Sequence, residues 1–243
     1  MNLFNLSKTE FIAFLDCRLK FYLLKQQNQG TEVGPPRQSF KHYQSNLRTG
    51  LMWHRRLHAF LNDYKDALSG NEPPPAIIED EIVYRLFWEH EKHRFLVDPE
   101  HWFPLALEFY LHTSSMRGVI DRVDPIDDHS CCIIEYKPSP SSSGYLHEEL
   151  LFYALLATTS KTFKQRFNRT VTQVGCYYYF TGEFITMPVT SEILMEFSEF
   201  FSSIQEDIAK GTYFPRLNCS LLASECDYAV LCTKIPDNLK RSI

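Results

Sequence analysis

Apolar residues fall at helical spacing from the start of the chain. Phe11, Phe14, Leu15, Leu19 and Tyr22 follow Ser7-Lys8-Thr9-Glu10, whose Ser and Glu three apart form a capping box, so the pattern predicts a helix over 8–26. Residues 27–39, with Gly30, Gly34, Pro35 and Pro36, read as a loop. Further helices are predicted over 40–68 and 77–97, separated by a break at 69–75. The period then drops to two. Segments 105–112 and 117–123 read as a hairpin around Thr113-Ser114-Ser115, 124–130 as a polar turn, and 131–137 as a third strand. A Ser-, Pro- and Gly-rich loop over 138–144 leads to a helix at 147–159. A second hairpin, 171–180 with 183–189, precedes a helix to 210 capped by Thr190 or Ser191. This order predicts a mixed α/β fold, a sheet flanked by helices with a helical N-terminal section.

There is no internal repeat, and 243 residues suit one domain. Its expected parts are a helical section (1–100), a core (101–210) and a cysteine-bearing C-terminal segment (211–243). The 25 basic and 30 acidic residues give a net charge of −5, which argues against a protein that coats polyanions but leaves room for a local basic groove. No run of about 18 apolar residues is present, so no membrane span is expected. Glu10 and Asp16 interrupt any leader-like pattern, and a cytoplasmic location is expected. Seven cysteines, an odd count, then read as core residues or metal ligands rather than as a disulfide framework.

The chemistry concentrates on two strands. In Gly118-Val-Ile-Asp-Arg-Val-Asp124, Val119, Asp121 and Val123 share a face. In Cys131-Cys-Ile-Ile-Glu-Tyr-Lys137, Ile133, Glu135 and Lys137 do. A carboxylate and a lysine at the end of an apolar strand are costly to bury unless paired or metal-bound. Two carboxylates suit a hard divalent cation, which polarises a phosphoryl oxygen, while a lysine beside it orients or deprotonates the attacking water. A Glu-x-Lys triplet alone equally describes a surface pair on an edge strand.

These segments, followed by Glu149-Leu-Leu-Phe-Tyr153, resemble the RecB-like branch of the PD-(D/E)xK nucleases, which reads G-x-(I/V)-D-R-(I/V)-D, then (D/E)-x-K, then Q-x-x-x-Y. Gly50-Leu-Met-Trp-His54 resembles the G-x-x-x-H helix that supplies this branch with a histidine ligand. The resemblance implies a restriction-endonuclease-like sheet and a metal-dependent DNA nuclease. It implies Mg²⁺ or Mn²⁺ held by His54, Asp121, Glu135 and the Tyr136 carbonyl, with Lys137, Glu149 and Tyr153 completing the site. Among nine histidines, only motif order singles out His54. Glu108 matches an acidic position often seen on the preceding strand. Glu149 stands where the family usually has Gln, and could add a ligand or repel phosphate.

Cys17, then Cys219, Cys226 and Cys232, resemble the iron–sulfur subgroup of this branch, which includes CRISPR-associated exonucleases and exonuclease V. That resemblance implies a [4Fe–4S] cluster tying the chain ends, with Zn²⁺ on the same thiolates as the alternative. Two departures are visible: Cys17 precedes Arg18 rather than proline, and six residues, not two, separate Cys219 from Cys226. Cys131, Cys132 and Cys176 lie in apolar strands and read as core.

Arg48, Arg55, Arg56, Lys161, Lys164, Arg166 and Arg169 are candidate phosphate contacts or simply solvated surface. Tyr177-Tyr-Tyr-Phe180 offers stacking for unpaired bases, or is a strand with one face buried. The implied activity is exonucleolytic on single-stranded DNA ends, in CRISPR adaptation, repair or defence, with proteins of such a complex as partners. The rival readings are a non-catalytic DNA- or protein-binding module and a defence endonuclease.

Overall fold

The computed structural model describes residues 4–28, 39–70, 81–140 and 144–211; side chains of 27–28 and 39–48 lie outside the described set. The expectations for 71–80, for the cysteines beyond 211 and for the Arg48 side chain therefore fall outside it. The chain divides into two compact units, residues 1–48, 114–116 and 199–243, and residues 49–113 and 117–198.

In the first unit, β1 (Leu6–Ser7) leads into α1 (Lys8–Asp16) and α2 (Arg18–Asn28). The capping box is present: Glu10 N–H donates to Ser7 Oγ at 3.2 Å, and Ser7 N–H to Glu10 Oε2 at 2.8 Å. The single helix expected over 8–26 is two, because Cys17 adopts extended backbone (φ −160°, ψ 116°). Phe11 packs on Phe201, Phe14 on Phe21, and Arg18 pairs with Asp207 at 2.6 Å. Gln205 clamps the chain start, accepting from Phe4 N–H and donating to Phe4 O. The Leu6 N–H reaches the Ser115 carbonyl.

The second unit holds the sheet. The helices α3 (Ser39–Asp63) and α4 (Lys65–Ser69), broken at Tyr64, and α5 (Ile82–Val97) precede β2 (Ala106–His112), β3 (Met116–Pro125) and β4 (Ser130–Lys137). Next come α6 (Leu146–Thr159), α7 (Lys161–Phe167), β5 (Thr170–Tyr178), β6 (Glu183–Pro188) and α8 (Ser191–Lys210); α3 up to residue 48 and α8 from residue 199 belong to the first unit. β2, β3 and β4 pair antiparallel in order, β5 runs parallel to β4 from Ser130↔Thr170 to Lys137↔Tyr178, and β6 returns antiparallel. The parallel pair needs a long crossover, which α6 and α7 supply. The mixed α/β sheet flanked by helices is as expected.

The helix expected over 40–68 is likewise two, α3 and α4, and two further elements differ from the sequence reading. The helix α7 was not anticipated; Ser160 caps it by accepting from Phe163 N–H at 3.3 Å, and Asn168 ends it in left-handed backbone (φ 49°). The polar turn expected from 124 begins later, since β3 continues through Asp124 and Pro125, both buried. Asp124 stays in the strand because its carboxylate is taken up below the sheet. Arg122 Nε donates to Asp124 Oδ1 at 2.6 Å, and Arg122 Nη2 to Glu91 Oε2 at 2.9 Å. Arg94 bridges the same two carboxylates at 3.1 and 2.8 Å, and Tyr136 Oη accepts from Arg122. Burial pushes the Glu91 and Asp124 carboxyls up, Asp124 to about 6, while Arg122 pulls both back. Two guanidiniums set against two carboxylates fasten α5 to the sheet. Around it Trp53, Phe60, Tyr84, Phe87, Trp88, Tyr136 and Tyr177 form an aromatic core.

Candidate active site

The site lies where β3 meets the C-terminal end of β4. The β3–β4 ladder runs from Pro125↔Cys131 to Arg122↔Ile134. One step further, the Tyr136 N–H donates to Asp121 Oδ2 at 2.9 Å instead of to a strand carbonyl. That bond fixes the carboxylate at 7% exposure and leaves its second oxygen directed at α3.

There His54 stands between two acceptors. Its Nδ1 is 3.2 Å from Asp121 Oδ1 and its Nε2 is 3.2 Å from the Tyr136 carbonyl oxygen. A neutral imidazole has one N–H, so it donates to one of these oxygens and turns a lone pair toward the other. A second proton or a cation resolves the clash. Two ligands of one ion, each bonded at roughly 2.1 Å, stand about 3.0–3.6 Å apart; a cation bound by His54 Nε2 beside the Tyr136 carbonyl fits that separation and leaves Nδ1–H to donate to Asp121 Oδ1. The Asp121 carboxylate and the Tyr136 carbonyl, with the Glu135 carboxylate on β4, are oxygen donors suited to Mg²⁺ or Mn²⁺, and the imidazole nitrogen tilts the set toward a transition metal such as Mn²⁺. Among the described residues no three His, Cys, Asp or Glu side chains form a ready-made shell. The closest set here is two side chains and a backbone carbonyl, and Glu135 faces Lys137.

Lys137 Nζ lies 2.5 Å from Glu149 Oε2 on α6 and 3.5 Å from Glu135 Oε1. Glu135 and Glu149 are both buried, at 3% and 6% exposure, so the ammonium offsets two charges that would otherwise repel each other. Tyr153, one turn beyond Glu149, is buried, and its ring explains Gly118: a Cβ there would lie 2.9 Å from Tyr153 Cε1. In this way Glu149 and Lys137 meet, and Tyr153 packs behind β3.

Two residues beside the site were given no defined role by the sequence. Glu108 has left-handed backbone (φ 47°), uncommon for a side chain other than glycine, and lies between Leu107↔Arg122 and Phe109↔Ile120, across from Asp121. His58, one turn after His54, places Nδ1 3.6 Å from Glu108 Oε1, while its buried Nε2 has no partner. Burial holds the His58 pKa below its ordinary value. The i, i+4 spacing of His54 and His58 was the available signal. Glu91 and Arg94, which anchor the Arg and second Asp of the Gly118–Asp124 motif, carried none, because their partners are remote in sequence.

Cys131, Cys132 and Cys176 are buried core residues, as read. Burial raises all three thiols, Cys131 and Cys176 to about 12, so they remain protonated. Cys17 is half-buried; Cys219, Cys226 and Cys232 lie outside the described residues. The tyrosine run splits, with Tyr177, Tyr178 and Tyr179 buried and Phe180 exposed. Among the described residues no helix is long and apolar enough to cross a membrane.

A family model described as the PD-(D/E)XK nuclease superfamily matches residues 5–233. No curated protein gives a significant match.

Proposed function

Because the chain belongs to the PD-(D/E)XK nuclease superfamily, we propose that it is a metal-dependent deoxyribonuclease of the RecB-like branch, acting as an exonuclease on single-stranded DNA ends. The observation that carries this reading is His54 held between Asp121 Oδ1 and the Tyr136 carbonyl, beside the Glu135–Lys137–Glu149 group. His54, Asp121, Glu135 and the Tyr136 carbonyl would hold Mg²⁺ or Mn²⁺, which when bound supplies positive charge against a phosphoryl oxygen. Tyr136 N–H orients Asp121, and the Arg122 cluster holds the strand that carries it. The Lys137 ammonium, beside these ligands, would counter the charge that develops on the phosphate. Glu149 and Glu135 fix that ammonium in place. Tyr153 packs behind β3 and keeps α6 in register.

The same reading gives Cys17, Cys219, Cys226 and Cys232 a [4Fe–4S] cluster, with Zn²⁺ as the alternative. It places the protein in the cytoplasm, in CRISPR adaptation, repair or defence, among the proteins of such a complex. The support for this part is the order of motifs in the sequence.

The test is incubation of purified protein with end-labelled single- and double-stranded DNA in Mn²⁺, Mg²⁺ or EDTA. Cleavage of single strands from an end, abolished by EDTA, is expected. Asp121→Asn still accepts the Tyr136 N–H, so its fold should persist, while cleavage falls by on the order of a thousandfold. Undiminished cleavage by this variant removes Asp121 from the site. DNA binding without cleavage in any metal leaves the non-catalytic module.

A further inference from the structure

We propose that Tyr110 and His112 form a stacking platform for the unpaired bases of the DNA strand whose end is cut. This deepens the nuclease reading and rests on it.

The two rings lie on one face of β2, 5.9 Å between centroids and 26° from parallel. Both residues are exposed, Tyr110 at 56%, although side chains of this size are usually spent on core. Across the ladder stand Val119, 43% exposed, opposite Tyr110, and Arg117 opposite His112. The alternate residues of β2 point the other way: Phe109 packs on Phe163 and Phe167, and Leu111 is buried. The exposed rings are therefore an outward face of a strand whose inner face already has its core.

This face leads into the site. Tyr110 is two residues from Glu108, which reaches His58 and lies across from Asp121. Two residues of strand cover about 7 Å, so the two rings are stepped outward from the carboxylates over about two such intervals. Glu108 holds left-handed backbone at this point, and such strain is usually retained where function needs it.

The chemistry selects the occupant. Two flat π-faces and an apolar Val119 favour flat apolar groups, and Arg117 at the outer end favours a polyanion. An unpaired nucleic-acid strand presents both at once, with every base able to stack. A duplex keeps its bases stacked on one another and offers the platform no face.

The test is fluorescence anisotropy of wild-type and variant protein with end-labelled oligonucleotides, with Ca²⁺ replacing Mg²⁺ or Mn²⁺. Loss of stacking is worth roughly 5- to 150-fold per base. Tyr110→Ala should therefore weaken single-strand binding about tenfold, and the double variant with His112→Ala further. Tyr110→Phe should restore it, and duplex binding should not change. An oligonucleotide abasic over the contacted positions should bind wild type weakly and lose nothing more in Tyr110→Ala, which an indirect structural effect would not produce. Equal losses on duplex and single strands, or unchanged single-strand affinity in a double variant that still cleaves DNA with Mn²⁺, overturn the platform and leave the nuclease reading standing. Wild-type protein that shows the stacking pattern but cleaves nothing overturns the nuclease reading and supports the platform.

Discussion

Lys137 Nζ lies 2.5 Å from Glu149 Oε2 and 3.5 Å from Glu135 Oε1, so a single ammonium serves two buried carboxylates from different elements. The second carboxylate stands where the RecB-like pattern that the sequence resembles has Gln. It holds Lys137 against α6 and, on the proposed function, adds a negative charge beside the phosphate.

Replacing Glu149 by Gln should keep the contact, since a Gln carbonyl oxygen also accepts from Lys137, and should remove the charge. Cleavage at saturating Mn²⁺ is then expected to stay unchanged or rise, up to about tenfold. Measuring the rate on single-stranded substrate decides it. A drop beyond about a hundredfold would make Glu149 an essential ligand.

The cluster of Arg122, Arg94, Glu91 and Asp124 makes a prediction about stability rather than chemistry. Glu91 is fully buried, and Arg122 is 1% exposed. Removing one carboxylate leaves guanidinium charge with fewer partners in the interior, which typically costs about 3–5 kcal/mol. Glu91→Ala should lower the urea midpoint accordingly, and Glu91→Gln, which keeps an acceptor, should cost less. An unchanged midpoint for Glu91→Ala would mean that α5 is held by its aromatic face alone.

Much of this was legible in the sequence because it is local. The capping box at Ser7 and Glu10, the alternation in β3 and β4, and the one-turn step from Glu149 to Tyr153 depend on neighbours a few residues apart. The sequence reading brought Asp121 and Glu135 to adjacent strands, and the register agrees. What it missed depends on partners far along the chain. Asp124 looked like the start of a turn because polar residues follow it, yet Arg122 and Arg94 hold it in the strand. Cys17 sits in a continuous apolar pattern, and nothing in that pattern signals the extended backbone that divides α1 from α2. The i, i+4 step from His54 to His58 was local and readable, but Glu108, 3.6 Å from His58, is fifty residues further along the chain.

The four cysteines proposed to hold a cluster give a prediction readable by eye. Anaerobically purified protein should be brown and contain iron and sulfide, and Cys232→Ser should bleach it. Joining Cys17 to Cys232 closes a loop of about two hundred residues, worth on the order of 5 kcal/mol by cross-link entropy. Zinc in a colourless protein would keep the tie and change the metal. Metal-free protein of unchanged stability after all four replacements would make these thiols packing residues.

His90 predicts how stability responds to acid. Its ring packs 4.8 Å from Tyr177 and 5.1 Å from Phe184, and burial, aided by the Arg122 charge, lowers its pKa to about 4 from an ordinary 6.5. Well above pH 6.5 the imidazole is uncharged in both folded and unfolded chains and has no effect on the pH slope. As pH falls below 6.5 the unfolded chain takes up a proton and the folded one does not, so the unfolded state gains. The loss grows until pH reaches about 4, below which the folded histidine also charges and the slope ends. Between pH 7 and pH 5 this group should cost on the order of 2 kcal/mol. His58, lowered in the same direction, adds to it. His90→Phe keeps an aromatic ring against Tyr177 and Phe184 and removes the titration. Urea unfolding at pH 7 and pH 5 should therefore show a smaller difference in the variant than in the wild type. The same pH difference in both proteins would mean that His90 titrates in the folded chain near its ordinary value, and that the acid sensitivity arises elsewhere.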